Sequence, residues 1–270
     1  MVPIDYTLPE EALNKQLGYI NGLYIPGDSK SLVQHGNLDY SRAVQRMLKW
    51  SQLHNQVESQ HFPVLGVGYG ALALMKAQLL TDEHLSEFGG KGSKLQLNLA
   101  QEPEHTYLFD EYKKEDLEAT LDKIKFFTDV EMGLTMEDFV LEHKQLSTLF
   151  IPICTFDDSS KPNQNKEFVA AIEGVVEPWF GVVYRVDKMQ FSLESQARDQ
   201  VDHSREAILH AQKIANLFVD EARLSGNQYP FVSYEMDAIA KIANNESWLV
   251  EVPLSNKSKK KTVRTDLYLF

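Results

Sequence analysis

The stretch His61-Phe62-Pro63-Val64-Leu65-Gly66-Val67-Gly68-Tyr69-Gly70-Ala71-Leu72-Ala73-Leu74 decides the reading of this chain. Phe62–Leu65 has the composition of a buried strand, Gly66, Gly68 and Gly70 make a tight turn, and Ala71–Ala77 opens a helix. A strand that turns sharply into a helix lifts one side chain above the edge of the sheet. That is the layout of a nucleophile elbow, and small residues beside the apex make it possible. Here the raised position falls on Gly68, which carries no side chain. The spacing Gly66-x-Gly68-x-Gly70 is not that of a dinucleotide loop, and no acidic residue in a strand context follows about twenty residues on. The glycines read as a turn, not as a phosphate cradle.

Working outward, three further blocks fall into order around the elbow. Upstream lies Ile20-Asn21-Gly22-Leu23-Tyr24-Ile25-Pro26-Gly27, an apolar strand running into a Pro-Gly turn. Downstream come Glu173-Gly174 with Pro178-Trp179-Phe180-Gly181-Val182, and then a helix from His203-Ser204 through Ala207 to Phe218-Val219-Asp220-Glu221-Ala222-Arg223. Together with Pro63-Val64-Leu65-Gly66-Val67-Gly68-Tyr69-Gly70, these blocks resemble the gamma-glutamyl hydrolase family, whose fold is that of the class I glutamine amidotransferases. The resemblance spans nearly the whole chain. It implies a three-layer α/β sandwich with a central, mostly parallel sheet. The family's elbow reads Pro-Val-x-Gly-Thr-Cys-x-Gly, which puts Gly68 in the cysteine's place.

The resemblance also says where the remaining machinery should stand. The family's histidine and carboxylate lie in Gly-Val-x-Trp-His-Pro-Glu, and the matching segment is Gly181-Val182-Val183-Tyr184-Arg185-Val186-Asp187. Arg185 therefore occupies the base position and Asp187 the carboxylate position. Arginine stays protonated at physiological pH and cannot take a proton from a nucleophile. In the oxyanion loop Gly27 matches the family's first glycine, but Asp28 replaces the second, and Tyr69 follows the apex. A carboxylate at Asp28 would disfavour a developing oxyanion. Nucleophile, base and oxyanion loop thus depart from the family together.

Few residues offer a replacement. Tyr69 should point into the start of the helix. Cys154 sits in an apolar run, where cysteines are usually inert. His203 reads as the neighbour of a helix cap. His143, in Leu141-Glu142-His143-Lys144, matches a family His-Lys pair; it lines the old cleft or lies on the surface.

The 270 residues, 43% hydrophobic and 24% charged, suit a globular protein, read here as a single domain over 1–270 that is N-terminally incomplete relative to the family. A net charge of −12 argues against nucleic acid and fits poorly with an anionic polyglutamate substrate. Cys154, the one cysteine, allows no internal disulfide. No leader is evident at Met1, although the family is typically lysosomal, vacuolar or secreted. No stretch is long and apolar enough for a membrane span, and no cofactor or metal motif stands out. Lys257–Lys261 reads as a solvated hairpin turn, and the glycosylation patterns at Asn245 and Asn256 are of a kind that occurs often by chance.

Along the chain the pattern predicts a helix over Leu8–Leu17, a strand over Tyr19–Ile25, a helix over Asp39–Gln56 and a strand over Leu95–Leu99. Loop with a short helical piece is expected over Glu102–Glu115, helix over Glu115–Phe127 and a helical turn over Met136–Glu142. Strands follow at Leu149–Thr155, Glu167–Val175 and Trp179–Tyr184, around a polar loop at Asp157–Lys166. The best-formed helix, Ser204–Arg223, should bury Ala207, Ala211, Ile214, Ala215, Phe218 and Ala222. Strands at Trp248–Val252 and Thr265–Phe270 close the chain.

Met1–Ile4 reads as a strand already under way. The resemblance implies a strand and a crossover helix before it, so a protein partner or a second copy is expected to cover the edge near Met1–Tyr6, unless an upstream segment supplies that layer. Three functions are compatible with these features. The leading one is an inactive relative kept as a structural or binding subunit. The others are an active hydrolase of folate polyglutamates or gamma-glutamyl peptides using another nucleophile, and a binder of a small glutamyl ligand in the old cleft through Arg185.

Overall fold

The computed structural model describes residues 4–27, 38–58, 60–79, 85–89, 93–101, 106–112, 114–158, 166–191 and 201–228. The expected strands at Met1–Ile4, Trp248–Val252 and Thr265–Phe270, the basic turn at Lys257–Lys261, both sequons and most of the loop at Asp157–Lys166 lie wholly or largely outside them. The elements below belong to one compact unit, Tyr6–Asn227.

The first half of the chain forms α1 (Glu10–Leu17), β1 (Leu23–Ile25), α2 (Leu38–Asn55), β2 (Val64–Val67) and α3 (Tyr69–Leu79). Short strands follow as β3 (Ser86–Glu87), β4 (Ser93–Leu95) and β5 (Asn98–Leu99), then α4 (Lys114–Leu121), β6 (Phe126–Thr128) and β7 (Met132–Gly133). A π-helical turn at Asp138–Glu142 leads into α5 (Lys144–Leu149). The remainder is β8 (Phe150–Asp158), β9 (Lys166–Gly174), β10 (Trp179–Val182), α6 (Val186–Phe191) and α7 (Arg205–Arg223).

The main sheet has six strands in the order β1-β2-β10-β9-β8-β5. β2 lies between β1 and β10 and is parallel to both, with Ile25 and Gly181 both in register with Gly66. The pairs β10/β9, β9/β8 and β8/β5 are antiparallel. The α/β class read from the sequence is the one observed, and the parallel strands are those that carry the site. Side chains alternate across a strand. Trp179 and Gly181 face α2 and α3: Trp179 Nε1 donates to Ser51 Oγ at 3.0 Å, and Gly181 lies against Ala71. On the other face, beyond Phe180 and Val182, Tyr184 meets His210 of α7. Helices therefore cover both faces of the sheet.

The central element is α3, with Tyr69 through Ala77 buried. A helix apolar on every side belongs in the interior. Close contact with the sheet needs glycine: a Cβ on Gly70 would collide with the carbonyl oxygen of Ile25.

Several boundaries differ from the sequence pattern, each for a local reason. β2 begins at Val64 because Pro63 has no N–H to donate, and Asn55 and Ser51 bind the backbone of Phe62 instead. The strand expected over Tyr19–Ile25 shrinks to β1 because Tyr19 and Ile20 extend the last turn of α1, donating to Gln16 and Leu17. The single strand over Leu95–Leu99 is two strands in different sheets, β4 paired with β6 and β5 with β8. The helix over Glu115–Phe127 stops at Leu121. Phe126 and Phe127 are buried in β6 instead, where pairing with β4 overrides helical spacing. In α7 Ala215 is exposed and Phe218 and Ala222 are only half-buried, while His210 takes a place in the buried stripe.

Candidate functional site

The parallel strands β1, β2 and β10 end on the same side of the sheet, the edge where sites of open α/β proteins form. β2 runs to Val67, α3 starts at Tyr69, and Gly68 between them has φ +60°. That left-handed conformation costs an L-residue about 1–2 kcal/mol. The elbow is therefore built, apex included. The Gly68 N–H donates to Val182 O at 2.8 Å, locking the apex to β10. The loop at Gly27 presses against the elbow so closely that a Cβ there would strike the Tyr69 and Gly70 nitrogens.

Arg185 fills the space above the apex. A Cβ on Gly68 would lie 2.9 Å from Arg185 Cδ and 3.0 Å from Gly27 O. Only 3% of the Arg185 side chain is exposed. Its guanidinium is committed on three sides. Nε donates to Asp187 Oδ1 at 2.8 Å and Nη2 to Asp187 Oδ2 at 2.6 Å. Nη1 donates to Asp129 Oδ2 at 2.5 Å and, more weakly, to Gly27 O at 3.3 Å. The paired contact to Asp187 is the fork-to-carboxylate geometry, the stronger kind of charge-assisted bond. Lys188 Nζ reaches the same Asp129 oxygen at 3.4 Å. Among the described residues the cluster sets Asp129 and Asp187 against Arg185 and Lys188.

Local structure holds each member in place. The Arg185 N–H donates to Phe127 O at 2.9 Å, so β6 fixes the backbone of the arginine. The chain turns into α6 at Val186, which puts Asp187 in its first turn, facing back to Arg185. Tyr69 does not stay within its own helix start: its hydroxyl accepts from the Glu131 N–H at 2.9 Å and pins the segment that carries Asp129.

Asp129 was not singled out in the sequence. It follows Phe126–Thr128, and reading that segment as helix hid the strand end that delivers it. Asp28 lies outside the described residues. His143 is buried at the junction of the π-helical turn and α5, so the surface alternative does not hold. His203 precedes the cap Ser204, and its Nδ1 donates to Met189 O at 2.8 Å, tying α6 to α7. Cys154 is fully buried in β8 and burial pushes its thiol pKa well up, which removes the reactive thiolate.

A second polar group escaped the sequence reading. His210 is fully buried between Tyr184 Oη, 3.0 Å from Nε2, and Tyr112 Oη, 3.1 Å from Nδ1. The Tyr184 hydroxyl is sealed from solvent and needs an acceptor, and Nε2 supplies it. The ring proton then sits on Nδ1 and is donated to Tyr112. Burial, reinforced by Lys213, lowers the His210 pKa to about 3. The imidazole is neutral at physiological pH and holds α7 to the end of β10.

Among the described residues, no group of three metal-ligating side chains gathers, and no helix is long and apolar enough to cross a membrane. The site thus defines an α/β protein with an intact elbow, no side chain at its apex and an ion-paired arginine above it.

Comparison with models of known protein families gives no match. Curated proteins do match. Gamma-glutamyl hydrolase B of Dictyostelium discoideum is 24% identical over 85% of this chain and 63% of its own length. The gamma-glutamyl hydrolase of Bos taurus is 26% identical over 85% of this chain and 68% of its own length. That of Homo sapiens is 24% identical over 88% of this chain and 71% of its own length. The chain is thus similar to gamma-glutamyl hydrolases over most of its length and spans 63% of the length of the Dictyostelium protein.

Proposed function

We propose that this chain is a catalytically inactive relative of the gamma-glutamyl hydrolases, retained as a structural or binding subunit of a larger assembly. The observation that carries the reading is the pairing of Gly68 with Arg185. The apex has no nucleophile, and the volume a nucleophile would fill is taken by the side chain at the base position. A hydrolase of this type needs a nucleophile, a base to move its proton and donors for the oxyanion. Arg185 supplies a fixed cation in place of the base. Cys154 is sealed in β8 and cannot stand in. The glutamyl-binder reading is disfavoured for a related reason: the guanidinium that would greet a carboxylate is already held by Asp129 and Asp187.

The test is hydrolysis of gamma-glutamyl peptides by the purified protein. The expected result is no turnover above buffer, with or without a thiol reagent. Turnover abolished by alkylating Cys154 would overturn the reading. The subunit half is tested by isolating the native protein under mild conditions, where the expected result is co-purification with a stoichiometric partner or a second copy.

A further inference from the structure

We propose that Asp129 and Asp187 form a seat selective for a guanidinium group, and that Arg185 occupies it as a plug built into the chain. The proposal deepens the inactive reading and rests on it. Three observations carry it. The contact to Asp187 uses Nε and Nη2 together, a fork that an ammonium cannot reproduce. The third nitrogen, Nη1, is met by Asp129, whose other oxygen, Oδ1, is buried with no hydrogen-bond partner. The Asp129 carboxylate is thus turned toward Arg185 through a single oxygen. Finally, the aliphatic stem of Arg185 passes over the bare apex, so the plug fits only because position 68 is glycine.

The seat is assembled from separate parts of the chain: Gly27 after β1, Asp129 after β6, Asp187 in α6, and Arg185 after β10. Removing the plug would leave the Asp129 and Asp187 carboxylates without the guanidinium that joins them, with Lys188 Nζ 3.4 Å from Asp129 Oδ2. A free anion would then be repelled from the apex, and a planar cation of the plug's own chemistry would be drawn in. The old catalytic position has become, on this reading, a cation seat filled from within.

The experiment is chemical rescue of Arg185→Ala. Guanidinium chloride at low millimolar concentration should raise its melting temperature by about 4 °C at ten times the dissociation constant, for a protein of this size. Methylammonium chloride and sodium chloride at equal ionic strength should not, and wild type should show no rise. Arg185→Lys should melt as early as the alanine variant. A melting temperature indifferent to guanidinium, or raised equally by methylammonium, overturns the proposal. So does an Arg185→Lys protein as stable as wild type. If neither variant folds, nitrogen-15 spectra of the wild type decide: one arginine should show a protected Nε–H and hindered rotation of its terminal nitrogens, and free rotation in every arginine overturns the seat. Gamma-glutamyl turnover by wild type would sink the inactive reading without altering these readouts, so the two failures are separable.

Discussion

At the scale of single residues, Gly68 and Arg185 are mutually dependent. Gly68→Ala has to adopt φ +60° and bring a Cβ within 2.9 Å of Arg185 Cδ. The left-handed backbone alone costs about 1–2 kcal/mol, so a loss of roughly 2 kcal/mol is expected in urea titration. Gly68→Cys should suffer the same loss and still fail to hydrolyse gamma-glutamyl peptides, because its thiol meets a guanidinium and no base. Asp129→Asn retains an acceptor for Nη1 but removes the charge that pairs with it. Breaking a buried ion pair by removing one partner typically costs about 3–5 kcal/mol, and Asp129 is partly exposed, so the lower end is expected. A loss no larger than that of a surface substitution would show that Asp129 contributes little to holding the arginine.

At the scale of elements, α7 shows how far local signals reach. Ser204 Oγ accepts from the Ala207 N–H at 3.2 Å, a cap the sequence displays openly. Ser204→Ala should cost about 1 kcal/mol, and Arg205→Ala, one residue on, next to nothing. Equal losses in denaturant titration would mean that the cap is not the working contact. The elbow elements α2 and α3 and the hairpin β9–β10 were also legible, because their apolar spacing and turn residues agree with the fold. The segment from Leu95 to Phe127 was not. There the short strands β4, β5 and β6 are set by partners distant in sequence, and Phe126–Phe127 fit a helix pattern until β4 claims them.

At the scale of the whole molecule, stability should depend on pH through His210. Its folded-state pKa of about 3 lies below the ordinary 6.5, so the unfolded chain takes up a proton first as pH falls. Stability is fully present above pH 6.5 and is lost on acidification toward pH 3, by up to about 1.4 kcal/mol per pH unit for one such group. Glu173 acts with the opposite sign. Burial raises its pKa despite the Tyr107 and Leu108 N–H donors, so the folded state holds its proton more tightly just above the ordinary carboxylate range. The difference between wild type and His210→Gln isolates the histidine, and its slope should flatten above pH 6.5. Equal slopes for both proteins would remove His210 as the cause. For the assembly, sedimentation of the native protein should give a mass above that of a single chain; a compact monomer at micromolar concentration would count against the proposed subunit role.

The sequence by itself determined the strand-turn-helix elbow, its glycine apex and the α/β class, while the resemblance implied that Arg185 stands where the gamma-glutamyl hydrolases carry their base. The elbow and its apex are written in contiguous residues: an apolar run, glycines at a turn, and an apolar helix after them. Only the tertiary structure decided that Arg185 lies over Gly68, that Asp129 completes its pairing, and that His210 is clamped between Tyr112 and Tyr184. Asp129 and Arg185 are 56 residues apart. Their meeting depends on where β6 and β10 end, and strand pairing sets that through partners no local pattern specifies.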